Sequence, residues 1–126
     1  MRTTVADASP EPVMTHRSAA WEAAQAQAQG HYEIHRSKHG RQLTLSSDFR
    51  TEAGPDLKVA LSRVGAPDAT DGNAFRGALE LGPLAAPRGR SAYAIPENAA
   101  LEEYRSVIVY CEAFSKLWFA APLDPR

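Results

Sequence analysis

The segment YRSVIVYC, residues 104–111, has the strongest strand pattern in the chain. It is rich in β-branched residues and apolar on both faces, which is typical of a central strand covered on both sides. In such a strand Val107, Val109 and Cys111 point one way, while Ile108 and Tyr110 point the other. The stretch that follows, SKLWFAAPL (115–123), is predicted to be the strand that closes the domain.

Strand patterns also precede this segment. HYEIHR (31–36) alternates, with Tyr32 and Ile34 on one face, and RQLTLS (41–46) alternates as well. SKHG between them predicts a hairpin turn. Further short strands are predicted in GPDLKVALS (54–62), LELGPL (79–84) and YAIP (93–96). Several short strands separated by turn signals predict a mainly β fold, an antiparallel β-sandwich or barrel-like single domain.

The N-terminal part of the chain has a different pattern. Residues 1–16 predict a flexible arm, because they offer little to bury, and residues 17–126 are then the single β domain. SAAWEAAQAQAQG (18–30) predicts a short N-terminal helix, with Ser18 as N-cap and Gly30 as the C-terminal stop. Trp21 is expected to anchor this helix onto the sheet.

Composition excludes several classes of function. The chain has 126 residues, a formal net charge of -1 and no basic block, so a nucleic-acid partner is not expected. No stretch approaches the ~20 apolar residues of a membrane span. One cysteine cannot form an internal disulfide. The first residues lack the apolar region of a secretory signal, which predicts either a cytoplasmic protein or a chain whose signal has been removed.

Three consecutive stretches, residues 39–62, 79–114 and 115–123, resemble in order and spacing the DM-thirteen domain family, which is described as an electron-transfer domain and often lies beside DOMON domains. The resemblance covers roughly residues 30–123. The positions that carry it are Leu45, Asp48-Phe49, Gly54-Pro55-Asp56-Leu57, Leu61-Ser62, Leu81-Gly82-Pro83-Leu84, Gly89, Tyr93-Ala94-Ile95-Pro96, Cys111 and Phe114.

The resemblance implies a mainly β domain located outside the cytoplasm. It also implies that Cys111 is a redox-active group, either as a bare thiol or as a ligand of haem or another metal centre, serving a redox partner. Asp56 could tune such a site, and Tyr93 could form a wall of a cofactor pocket. The predicted helix at residues 18–29 departs from the family, whose members more often show a short strand-like lead.

Each of these residues also has a structural interpretation. A cysteine on a valine face is by default a small buried hydrophobe, and Asp56 and Asp48 are expected to stabilise turns. The alternative function is a non-catalytic binding or adhesion module that uses loops 63–74 and 85–91, with Arg88 and Arg90 meeting an acidic partner.

Neither the histidines nor the acidic loop predicts a metal site. His31 and His35 share a strand face but lie roughly 13 Å apart at ~3.3 Å per residue, too far for one metal ion. The loop PDATDGN (67–73) has oxygen ligands for calcium, but it lacks the spacing of the twelve-residue calcium loop.

Overall fold

The computed structural model describes residues 13–18 and 20–123, and they form strands joined by turns and two short 3₁₀ segments, Ala66–Asp68 and Leu101–Glu103. The strands are β1 (Val13–Arg17), β2 (Glu22–Ala23), β3 (Ala28–Gln29), β4 (Tyr32–Ser37), β5 (Gly40–Leu45), β6 (Arg50–Thr51), β7 (Leu57–Ser62), β8 (Leu79–Pro83), β9 (Ser91–Ile95), β10 (Ser106–Cys111) and β11 (Lys116–Pro122).

Two larger sheets enclose the main core. One has the strand order β1-β4-β5-β9, the other β2-β11-β10-β7-β8, and β3 pairs with β6 in a small two-stranded ribbon. Every one of these pairings is antiparallel. The core contains inward residues of both larger sheets, such as Ile34 and Leu43 from one and Val59 and Val107 from the other. The prediction of a mainly β, antiparallel fold is confirmed, and the arrangement is sandwich-like.

Strand β10 is central in its sheet, as its sequence predicts. It pairs with β7 on one side and β11 on the other, and all six of its residues are buried. Val107, Val109 and Cys111 face the main core, while Ile108 and Tyr110 face a second cluster. Residues 66–78 cover that second face, where the Phe75 ring stacks on Tyr110 at 4.4 Å. Apolar residues on both faces of β10 follow directly from this double cover.

The predicted hairpin of the other sheet is also confirmed. β4 and β5 pair from Tyr32 opposite Leu45 to Ser37 opposite Gly40, so a two-residue turn joins them. Gly40 has a positive φ of 111°. Tyr32 and Ile34 point into the core, which leaves the opposite face of β4 to the polar residues of the alternation.

The predicted N-terminal helix is wrong. Residues 22–23 and 28–29 form β2 and β3, and bends lie between them. Backbone N–H groups of residues 24–26 donate to the carbonyls of Leu117 and Trp118 on β11. An isolated helix of this length is marginal in water, so pairing with the unfilled edge of β11 outweighs the helix propensity of alanine and glutamine. Trp21 still packs on the sheet, with its ring 5.0 Å from that of Phe119.

The two predicted helix ends have other roles. The hydroxyl of Ser18 accepts a hydrogen bond from the backbone N–H of Tyr32 at 2.9 Å rather than capping a helix. Residues 13–16 of the predicted arm belong to β1, and residues 1–12 lie outside the described part of the chain. The described residues contain no helix long and apolar enough to cross a membrane.

Candidate redox site around Cys111

Cys111 lies at the C-terminal end of β10, where its side chain enters the main core. It pairs with Leu57 of β7 and with Lys116 of β11. The side chain has 0% exposure, and its thiol donates a hydrogen bond to the carbonyl oxygen of Pro55, with Sγ and oxygen 2.9 Å apart. The predicted orientation with Val107 and Val109 is confirmed, and that face points into the core.

The turn Gly54–Leu57 lies between the sulfur and solvent. Pro55 is exposed, so the residue whose carbonyl oxygen contacts Sγ is itself at the surface. Asp56 has a positive φ of 60°, a conformation that aspartate tolerates better than most residues and that suits the third position of a turn after proline. The backbone N–H of Glu112 donates to the Asp56 carbonyl at 3.1 Å, which joins the turn to the end of β10.

Trp118 supports the turn from below. Strand β11 has a β-bulge, because Val109 pairs with Phe119 while Tyr110 pairs with Leu117, which leaves Trp118 between them without a partner. Its Nε1 donates to the carbonyl of Glu52 at 3.2 Å. A Cβ at Gly54 would lie 2.9 Å from Cζ2 of the Trp118 ring, so only glycine permits this close approach.

An ionic cluster lies on the outer side of the turn. The ammonium group of Lys58 is 2.6 Å from a carboxylate oxygen of Glu112 and 3.1 Å from one of Asp56. The hydrogen bonds to Glu112 and then to Asp56 raise the pKa of Lys58 above its usual value. Asp56 therefore bonds to a lysine at the surface, and its carboxylate is exposed.

A groove of about 220 Å³ runs along the turn. One wall is the Gly54–Leu57 turn, and the other is the segment that follows β8, held by the backbone bond from Leu84 N–H to Leu57 O at 2.8 Å. The Tyr93 hydroxyl accepts a hydrogen bond from the N–H of Ala85 at 2.9 Å, which fixes the second wall. Residues lining the groove are Ala53, Gly54, Asp56, Leu57, Pro83, Leu84, Ala85, Ala86 and Pro87.

The structure therefore brings the three predicted site residues to one region in different ways. Asp56 lines the groove, the Tyr93 hydroxyl bonds to its far wall, and Cys111 bonds to Pro55 of the turn that forms the near wall. Sequence reasoning missed Trp118 and Lys58. In the sequence, Lys58 lies two residues after Asp56 and Glu112 lies directly after Cys111. Only the register of β7 with β10 brings Lys58 next to Glu112.

The residues around Cys111 do not fit a haem or another metal centre. The sulfur is sealed and already donates to Pro55. Among the residues that the structure describes, no three His, Cys, Asp or Glu side chains are grouped closely enough to hold a metal ion. The adjacent groove is smaller than the ~300–1,000 Å³ of typical ligand pockets. A resident iron centre would need permanent room beside the sulfur in the folded domain, and this arrangement leaves none.

The histidines lie on the other sheet. Glu33 stands between His31 and His35 on the outer face of β4, and its two carboxylate oxygens lie 3.1 Å and 3.3 Å from their Nε2 atoms. Arg17 is 3.8 Å from the same carboxylate. This alternation is as the sequence predicts, and the row forms part of the polar face of β4.

The two other acidic stretches serve as local supports. The Ser46 hydroxyl donates to Asp48, and this bond lowers the pKa of Asp48. In the loop 67–73, Asp71 accepts a hydrogen bond from the N–H of Leu117 at 2.8 Å and pairs with Lys116 at 3.4 Å. Asn73 bonds to the backbone of the loop itself. These oxygens are thus engaged with the chain.

The fold and the site define a sandwich-like antiparallel β domain whose one cysteine bonds to a surface turn. The comparison with protein families is more specific. The family model described as electron transfer DM13 matches residues 21–123, and the chain belongs to this family. No curated protein and no solved structure showed significant similarity to the chain.

Proposed function

We propose that this electron-transfer domain uses Cys111 as a bare thiol that relays electrons by thiol–disulfide exchange. The observation that carries the proposal is the hydrogen bond from Sγ to Pro55, because it places the chain's one sulfur nucleophile directly behind a surface turn. The groove beside that turn gives a partner a place to approach. Membership of the electron-transfer family supports this use of the thiol.

The exchange balances without a bound cofactor. Cys111 loses its proton and attacks one sulfur of a disulfide in an acceptor protein, so that a mixed disulfide forms and the other acceptor sulfur leaves as a thiolate. A donor dithiol then attacks the Cys111 sulfur and releases the second acceptor thiol. The donor's second thiol closes the donor disulfide and frees Cys111. Two electrons and two protons pass from donor dithiol to acceptor disulfide.

The partner must supply the other sulfurs, because the chain has a single cysteine. We also propose an extracytoplasmic location, since disulfide-bearing acceptors persist in oxidising compartments. Fractionation of cells that express the tagged natural protein tests this part of the proposal, and recovery in the cytoplasmic fraction alone would contradict it.

The experiment that tests the thiol role is titration of folded protein with an aromatic disulfide reagent whose leaving thiolate absorbs visible light. We expect one equivalent of thiolate per chain, a matching mass increase on Cys111, and no release from Cys111→Ser. The reaction should be faster than global unfolding, which is measured separately by denaturant jump.

Two results would contradict the proposal. A thiol that reacts only as fast as the protein unfolds would show that Cys111 is a packing residue, and the domain would then be a binding module. A native protein with a stoichiometric metal and a visible absorption band would show that the bare-thiol form is wrong.

A further inference from the structure

A row of polar side chains crosses three neighbouring segments next to the groove. Gln29 of β3 pairs with Arg50 of β6, and Arg50 forms an antiparallel bridge with Arg88 on its other side. Backbone bonds flank that bridge, from Gly89 N–H to Phe49 O at 2.9 Å and from Thr51 N–H to Pro87 O at 2.8 Å. Cross-strand partners share one face of a sheet, so the row presents one amide and two guanidinium groups together.

The bridge between Arg50 and Arg88 is of the kind in which opposite side chains come closest. Because the hydrogen bonds lie on either side of Arg50 and Arg88, the two residues form a non-hydrogen-bonded pair, in which Cα atoms are about 4.5 Å apart. Like charges directly opposite each other are destabilising. Within the described ranges neither guanidinium has a carboxylate within 4.0 Å, although Glu52 lines the same cleft. The two positive charges therefore have no carboxylate partner among the residues that the structure describes.

Both arginines line an open cleft of about 480 Å³. Its other lining residues include the polar Gln27, Gln29 and Thr51, so its walls are polar in part. The cleft shares the lining residues Ala53 and Pro87 with the groove along the Gly54–Leu57 turn, so the two depressions adjoin at those residues. A third exposed arginine, Arg90, follows on the same loop.

We propose that this arginine cleft binds carboxylates of an acidic segment on the protein partner, next to the turn that covers Cys111. Guanidinium groups bind carboxylates through paired, charge-assisted hydrogen bonds, and two adjacent guanidinium groups suit successive acidic side chains. The cleft and the groove adjoin, which favours a macromolecular partner, because one partner can then occupy both. The inference rests on the proposed function for its choice of partner, while the binding of carboxylates stands on the cleft alone.

The test is fluorescence anisotropy with a labelled peptide of alternating glutamate and glycine, at low ionic strength and with the thiol kept reduced. We expect the full chain to bind this peptide at least about tenfold more tightly than the matching glutamine peptide. The double variant Arg50→Gln/Arg88→Gln should lose about tenfold in affinity. The control Arg36→Gln/Arg76→Gln removes the same charge from exposed arginines outside the cleft and should change affinity less than about twofold.

Thermal unfolding provides a second readout. The Arg50→Gln/Arg88→Gln protein should melt at or above the wild-type temperature, because a like-charge pair has been removed. The glutamate peptide should raise the melting temperature of the wild type and of the Arg36→Gln/Arg76→Gln control, but not that of Arg50→Gln/Arg88→Gln. This measurement keeps the test valid should either double variant fold poorly.

Equal losses in both double variants would overturn the proposal, since binding would then follow net charge alone. Competition by free glutarate at the same molar concentration as the peptide would also overturn it, because the cleft would then be a small-molecule subsite. Peptide binding needs no exchange chemistry and the disulfide titration needs no peptide, so each proposal can fail independently of the other.

Discussion

The turn over Cys111 should control how fast the thiol reacts, and Trp118→Phe is the substitution that tests this. Trp118 is the main support of the turn from inside the protein, through its bond to Glu52 and its contact with Gly54. The turn is also held by the bonds of Cys111 to Pro55 and of Glu112 to Asp56, by the ion pair of Asp56 with Lys58, and by the bond from Leu84 to Leu57. Phenylalanine keeps an aromatic ring at the bulge but removes both contributions of the indole to the turn.

The expected acceleration of the thiol reaction follows from the loss of the indole hydrogen bond and of part of the ring contact. The hydrogen bond from Nε1 contributes about 1 kcal/mol net. The missing part of the ring, whose Cζ2 edge faces Gly54, contributes a further ~1–2 kcal/mol of apolar contact. Opening of the turn is then easier by about 2–3 kcal/mol. The sulfur should therefore be exposed roughly 30- to 150-fold more often, and its reaction with a small disulfide should accelerate by that factor.

The assay compares thiol reaction rates with the free energy of unfolding, both measured over a series of sub-denaturing urea concentrations. Trp21→Phe is the matched control, because Trp21 has the same 9% exposure and packs on Phe119 in the same core. Its Nε1 has no hydrogen-bond partner among the described residues, so its loss should leave the turn in place. The rate for Trp118→Phe should depend only weakly on urea, as local opening exposes little surface.

Two results would contradict this prediction: equal accelerations in the two variants, or a reaction rate that rises with urea as steeply as global unfolding does. Either result would mean that the sulfur is reached by unfolding of the whole domain, and that the turn is not a gate.

Two further predictions concern the scaffold. Gly30→Ala should lower the free energy of unfolding by about 3 kcal/mol, because the φ of Gly30 is +86° and a Cβ there would lie 2.6 Å from Ser46 Oγ. Gly72→Ala is the control, because a Cβ at Gly72 would meet no atom within 4 Å. Equal effects of the two substitutions in urea unfolding would contradict the prediction. The bonds to Glu112 and Asp56 that raise the pKa of Lys58 stabilise the fold fully at pH values below 10.5, the pKa of lysine in the unfolded chain. This contribution is lost as pH rises through the higher pKa of the folded state. Wild type should therefore lose stability relative to Lys58→Met between about pH 10.5 and 12, as urea unfolding at each pH would show, and parallel pH profiles of the two proteins would contradict the prediction.

The strands could be predicted where burial sets the pattern. β10 was identified from its β-branched, two-faced apolar run, and the side to which Cys111 points follows from alternation alone. The prediction of a helix for residues 18–29 was wrong because alanine and glutamine favour a helix locally. The edge of β11 with which this segment pairs lies far away in the sequence. Local propensity carries no information about an edge that only the folded sheet creates.

In the candidate site, too, the sequence indicates individual residues but not how they are arranged. Cys111, Asp56 and Tyr93 were found from a motif, but their arrangement around one groove depends on the pairing of β7 with β10 and on the segment after β8. The role of Trp118 depends on a bulge, which shifts the side-chain alternation by one residue. No periodicity in the sequence marks that shift.

The position of Cys111 also limits the mechanism by which electrons can leave it. Thiol–disulfide exchange requires direct contact between two sulfurs. Both faces of β10 are covered by other residues, and both of its edges are paired with neighbouring strands. Pro55 is the exposed residue that contacts Sγ, so a partner sulfur can reach Cys111 most directly when the Gly54–Leu57 turn moves. A partner held in the arginine cleft would lie against Ala53, at the start of that turn. Docking and opening are therefore expected to be coupled, and the acidic peptide should accelerate the thiol reaction of the wild type more than that of Trp118→Phe, in which the turn already opens.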